Sequence, residues 1–204
     1  MKILKTVFAA FLVLGVTAIQ AQKIKVTKGD LSFLKGQTEV LVEFDYSEMA
    51  VGKFNNEQDY LDKKVAEYNE KEAGKGDAWK ESWEADREGR FHPKFEELMN
   101  RYTSKANCNF DQTNINAQYT LILKTIFTEP GFNIGVMRKD AMINVEVIFV
   151  ERANPENQLA VITMTNVPGR DATGNDYDTG FRISEAYAKC GKSLGAYLVK
   201  KAFK

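Results

Sequence analysis

Residues 141–167 read AMINVEVIFVERANPENQLAVITMTNV, and the fold turns on this stretch. From Ala141 to Glu151, Ile143, Val145, Val147 and Phe149 alternate with Asn144 and Glu146, the period of two that half-buries a strand. Leu159 to Val167 forms a second strand with Val161, Ile162 and Met164, and the polar Asn154-Pro155-Glu156-Asn157 joins the two. So short a link between strands predicts an antiparallel hairpin.

Upstream, Tyr119 to Glu129 sets Tyr119, Leu121, Leu123 and Phe127 against Thr120, Lys124 and Thr128, a third strand of the same kind. Glu39 to Tyr46 alternates in the same way, with Val40, Val42, Phe44 and Tyr46 on one side and Glu43 and Asp45 on the other, and Ile24 to Val26 starts a short edge strand. Between these strands lies a helical excursion. Glu57 to Ala73 places Tyr60, Leu61, Val65 and Tyr68 on one helical face and stops at Gly74 and Gly76. A second helix from about Asp77 carries Trp79 and Trp83, Gly89 interrupts it, and Pro93 opens a third with Phe95, Leu98, Met99 and Tyr102 as its apolar stripe.

The chain ends in a helix from about Thr179 to Ala202. Ile183, Ala186, Tyr187, Cys190, Leu194, Tyr197 and Leu198 keep helical spacing, Asp178 or Thr179 can cap the start, and the last lysines suit the negative end of the dipole. Gly191 and Gly195, four apart, cost helix propensity; either they let this helix approach the sheet closely, or a packed apolar face simply tolerates them. The element order predicts an α+β fold: a mostly antiparallel sheet covered by helices on one face, with a helical excursion after the first main strand and a long C-terminal helix.

Residues 1–21 give the address. Lys2 and Lys5 form a basic head, Val7 to Val16 an apolar core and Ala18 to Ala21 a small-residue exit, the pattern of a secretory signal peptide cut after Ala21. The apolar run is too short to span a bilayer. The mature chain, 22–204, has the length of a single α+β domain that is periplasmic or secreted, without a transmembrane segment. The whole chain carries 28 basic and 28 acidic residues. Losing Lys2 and Lys5 leaves a slight acidic excess, with both signs interleaved, so a nucleic-acid partner is not expected. No cysteine directly follows the cut to take a lipid.

Cys108 and Cys190 are either a disulfide, which the oxidising compartment permits, or two separate buried thiols. The one histidine, His92, precedes Pro93 in a turn without a nucleophile context, which points to a capping or surface role. One histidine and two distant cysteines do not make a zinc site. Asp171, Thr173, Asn175, Asp176 and Asp178 form an oxygen-rich loop, but the spacing departs from the calcium template and Arg182 stands where a bidentate Glu belongs. No cofactor, metal or catalytic residue is therefore assigned. Glu81, Glu84, Asp86 and Glu88 near Trp79 and Trp83 read first as a solvated charged face with core tryptophans; they also raise a carboxylate-dependent hydrolase as one alternative, and the two tryptophans a small-molecule or glycan-binding protein as another. In Glu129 to Asp140, Phe132, Ile134, Val136 and Met137 concentrate apolar groups where a loop is normally polar. Either they contact a partner or a ligand, or they are the far end of a strand tucked into the core.

Four stretches carry a resemblance: Tyr119 to Thr125, the loop Gly131 to Val136, the strand Ala141 to Glu151, and the final helix through Leu198. Together they resemble small exported bacterial envelope domains of the curli-secretion lipoprotein family and the amino-terminal domain of the TolB translocation protein. The resemblance implies an accessory or assembly role in the envelope, with another envelope protein as partner, rather than catalysis. The chain departs from it in lacking the lipidation cysteine and in the size of the excursion from Glu57 to Tyr102.

Overall fold

The computed structural model describes residues 21–170 and 176–203. The signal-peptide reading, and Asp171, Thr173 and Asn175 of the oxygen-rich loop, lie outside the described residues.

The strands are β1 (Lys23–Gly29), β2 (Glu39–Asp45), β3 (Ala50–Val51), β4 (Asn109–Asp111), β5 (Tyr119–Glu129), β6 (Phe132–Asn133), β7 (Arg138–Lys139), β8 (Ala141–Glu151) and β9 (Asn154–Gly169). The helices are α1 (Glu57–Asn69), α2 (Lys75–Asp86), α3 (His92–Thr103) and α4 (Thr179–Lys201). Among the described residues seven strands form one sheet in the order β1-β9-β8-β5-β2-β4, with β3 also on β5, while β6 and β7 pair with each other as a separate two-stranded sheet. The fold is α+β, as the sequence predicts.

β8 and β9 are the expected antiparallel hairpin, but the turn is Arg152-Ala153 and β9 begins at Asn154, so the Pro155 segment lies on the strand. β5 and β1 add antiparallel neighbours on either side. Beyond β5 the sheet becomes parallel: β2 runs parallel to both β5 and β4. The helical excursion explains this, because parallel neighbours need a crossover of a dozen residues or more and α1 to α3 supply it.

Two bulges re-aim the strand faces. Between Thr125 and Phe127 the register of β5 shifts, so Thr128 turns inward and Phe127 is only half-buried, the reverse of simple alternation. In β9, Asn166 adopts φ 56° and donates its backbone N–H to Asn144 Oδ1 at 2.8 Å.

The inner face of the sheet, with Val40, Leu121, Leu123, Val145, Val147, Phe149, Ile162 and Met164, is buried under α3 and α4. Gly191 and Gly195 do bring α4 close to a neighbour, but that neighbour is α3 rather than the sheet. A Cβ on Gly191 would stand 2.2 Å from the Phe95 carbonyl oxygen, and one on Gly195 2.8 Å from that of Met99. Nor does Gly89 break the helix: residues 87–91 pass from α2 into α3 as a π-helical turn. Asp178 caps α4, accepting from the Phe181 N–H at 2.6 Å. Cys108 and Cys190 are both free and buried, the Cys190 Sγ 3.7 Å from Met164 Sδ. Burial raises the Cys108 thiol to about 12 and the Cys190 thiol further. Among the described residues no helix is long and apolar enough to cross a membrane.

Candidate functional site

β5 and β8 are neighbours in the sheet, and the chain between them continues past its end as the small β6–β7 hairpin. The turn is local: Ile134 donates its N–H to the Met137 carbonyl, Asn133 Oδ1 accepts from the Gly135 N–H, and Gly135 takes φ 82°. At the hairpin's root Gly131 has φ 62°, and a Cβ there would stand 2.3 Å from the Lys139 carbonyl oxygen, so only glycine lets the two arms close. The tip is apolar and exposed: Ile134 is 64%, Val136 91%, Met137 60% and Phe132 38% accessible. These side chains do not enter the core.

The root is held by a buried cation. Arg182, in the first turn of α4, is among the largest fully buried side chains. Its Nε donates to the Pro130 carbonyl (3.3 Å), Nη1 to the carbonyls of Asp176 (2.6 Å) and Tyr177 (2.9 Å), and Nη2 to the Gly131 carbonyl (3.3 Å) and Thr179 Oγ1 (2.9 Å). The planar guanidinium thus ties the chain entering the hairpin to the chain entering α4. Burial pulls its pKa below the ordinary value, with Asp176 and Asp178 opposing. Asp176, also fully buried, accepts from Asn133 Nδ2 (2.8 Å) and pairs with Arg138, gripping both hairpin strands. Lys139 pairs with Glu129 at 2.6 Å.

A second polar centre lies where the excursion meets β2. His92 is buried rather than at the surface. Its ring stacks on Phe44 with centroids 3.7 Å apart, and Nε2 lies 3.1 Å from the Tyr46 hydroxyl. Burial lowers its pKa to about 4, with Arg87 adding to the effect and Gln112 opposing it. Burial likewise raises Tyr46 well above a normal phenol, while Thr125 and Tyr187 share a hydrogen bond of 2.7 Å beside it. Arg87, from the π-helical turn, lies 4.3 Å over the Tyr46 ring and pairs with Glu57, whose other oxygen accepts from Trp83 Nε1 at 2.6 Å. A cleft of about 490 Å³ opens here, lined among others by Tyr46, Asn56, Glu57 and Arg87. Its ring faces and its Glu57 carboxylate are already engaged by protein groups.

The tryptophans stand behind this cleft rather than in its lining. Trp83 is buried and Trp79 half-buried, their rings 5.7 Å apart and packed against Tyr60 between α1 and α2. Glu81, Glu84 and Glu88 are exposed, whereas Asp86 pairs with Arg90 against the start of α4, its carboxyl raised by burial despite that cation. Among the described residues no group of three or more His, Cys, Asp or Glu is arranged to hold a metal ion.

The sequence singles out the hairpin tip but not what holds it. Arg182 falls in line with Ala186, Cys190, Leu194 and Leu198, all four apart and all buried, and a cation at the head of a buried stripe is the signal that marks it.

No protein-family model and no curated protein matches the sequence. Among solved structures the chain is similar to a PelC dodecamer from Paraburkholderia phytofirmans, with TM-score 0.41 and 13% identity over 86% of this chain and 99% of that one. It is similar also to a leucine-to-methionine variant of the same dodecamer, with TM-score 0.41 and 14% identity over 86% of this chain and 97% of that one.

Proposed function

We propose that this protein is a non-enzymatic, exported accessory protein of the cell envelope that docks onto another envelope protein through the tip of its β6–β7 hairpin. One observation carries the reading: three apolar side chains, Ile134, Val136 and Met137, are each at least 60% exposed on a hairpin whose root is fixed by the buried Arg182 and Asp176. Exposed apolar groups on a rigid support cost little ordering entropy when a partner covers them. The export pattern of residues 1–21 supports the address.

The test is a photo-crosslinking residue at Val136 in the full chain, expressed in its native cells. A discrete adduct with an envelope protein is expected, and it should vanish in the Ile134→Asp, Met137→Asp double variant, whose melting temperature stays within about 2 °C of the parent because both side chains already face water. A crosslink that survives the double variant, or the absence of any adduct, refutes the contact.

A further inference from the structure

α3 and α4 are drawn together at Gly191 and Gly195, and their outward flanks enclose a groove of about 490 Å³. Lys94 and Arg101 line it from α3, Lys189 and Lys192 from α4, and Arg170 from the chain just after β9, with Leu98 and Ala188 between them. Glu97 and Glu185 also reach the groove, giving five cations against two carboxylates in a chain whose overall balance is 28 to 28. Glu97 is already taken by Arg101 at 2.7 Å and Lys94 at 3.6 Å, and Arg170 lies 3.5 Å from Asp140. Lys189 and Lys192 are exposed and have no ion-pair partner among the described residues. At the Lys94 end the groove runs on into a hollow of about 270 Å³ shaped by Gly89, Pro93 and Phe181.

We propose that this groove binds an extended acidic peptide segment of a partner protein, with one large apolar side chain seated beside Phe181. Lys94 and Arg101 stand on the α3 wall and Lys189 and Lys192 on the α4 wall, so a chain of repeated carboxylates meets cations on both walls. The adjoining apolar hollow favours a peptide over a purely anionic polymer, which has no side chain to place there. The groove shares no residue with the hairpin tip, so it stands or falls separately from the docking of that tip.

The probe is a fluorescein-labelled peptide rich in Asp and Glu with one central Phe, titrated against the full chain by fluorescence anisotropy. Saturable binding that weakens with salt is expected. The Lys189→Glu, Lys192→Glu double variant should weaken it roughly tenfold. Phe181→Ser, or a probe with Ser in place of its Phe, should weaken it several-fold, whereas Lys63→Glu with Lys71→Glu, the same charge change on the α1 side, should leave it unchanged. Melting curves establish that each variant is folded. Equal weakening by the Lys63, Lys71 variant, no weakening by the α4 variant, or polyphosphate binding as tightly with no dependence on Phe181, would each overturn the proposal.

Discussion

Replacing Arg182 by Met tests the idea that one buried cation holds the hairpin. The substitution keeps an unbranched apolar stem of similar reach and deletes five hydrogen bonds, leaving the carbonyls of Pro130, Gly131, Asp176 and Tyr177 without their donor. A bond from a charged donor contributes about 1.5–3 kcal/mol, but the terms do not add, because Met also removes the desolvation cost of the cation. The net loss is expected at about 3–5 kcal/mol, because each buried carbonyl left without a donor costs about 1–3 kcal/mol and the relief of the cation's desolvation offsets part of the sum. For a domain of this size that corresponds to a fall of about 10 °C in melting temperature. The loss should also be local: hydrogen exchange of the amides from Gly131 to Asp140 should accelerate more than that of β8 or β9. Arg182→Lys, a point charge without the planar fork, should recover only part of the stability. Thermal unfolding followed by circular dichroism, with exchange read by mass spectrometry, measures both effects. A variant that melts within about 2 °C of the parent and protects its hairpin amides equally well would refute the reasoning.

His92 predicts an acid-sensitive stability. Its folded pKa of about 4 lies below the ordinary 6.5, so the unfolded chain takes the proton first. The stabilisation is complete above pH 6.5 and is lost as the pH falls towards 4, roughly 3 kcal/mol in all. Urea midpoints should therefore drop across that window, and less steeply in His92→Phe; equal slopes would count against a neutral buried imidazole. Two glycines separate close packing from open space. Gly191→Ala drives a methyl into the Phe95 carbonyl and should cost about 1–3 kcal/mol, whereas Gly89→Ala meets nothing within 4 Å and should gain about 0.5–1 kcal/mol in denaturant unfolding.

Much of this architecture is legible in local patterns. The alternation of Ile143, Val145, Val147 and Phe149 marks the inner face of β8, and Asp178 with the stripe from Ile183 marks α4, because these signals depend only on residues a few positions apart. What escapes depends on distant partners or on one extra residue. The bulge after Thr125 inverts the inward set of β5, and the parallel pairing of β2 with β5 comes from where the excursion returns, which no alternation records. Gly89 reads as a breaker, yet the chain absorbs it in a π-helical turn that places Arg87 over Tyr46. At the hairpin the apolar composition is plain in sequence but its direction is not, since Asp176, Asn133 and Arg138 converge only in three dimensions.

The pairing of β1 with β9 sets a timetable for this protein. Lys23 lies opposite Thr165, so 142 positions (165 minus 23) separate two residues that share one rung. Any process that delivers the chain from its amino end, whether synthesis or threading through a pore, presents β1 long before its neighbour exists. The early segments must wait uncommitted, and a molecule cut short before Asn154 has no partial version of this sheet edge in which to rest.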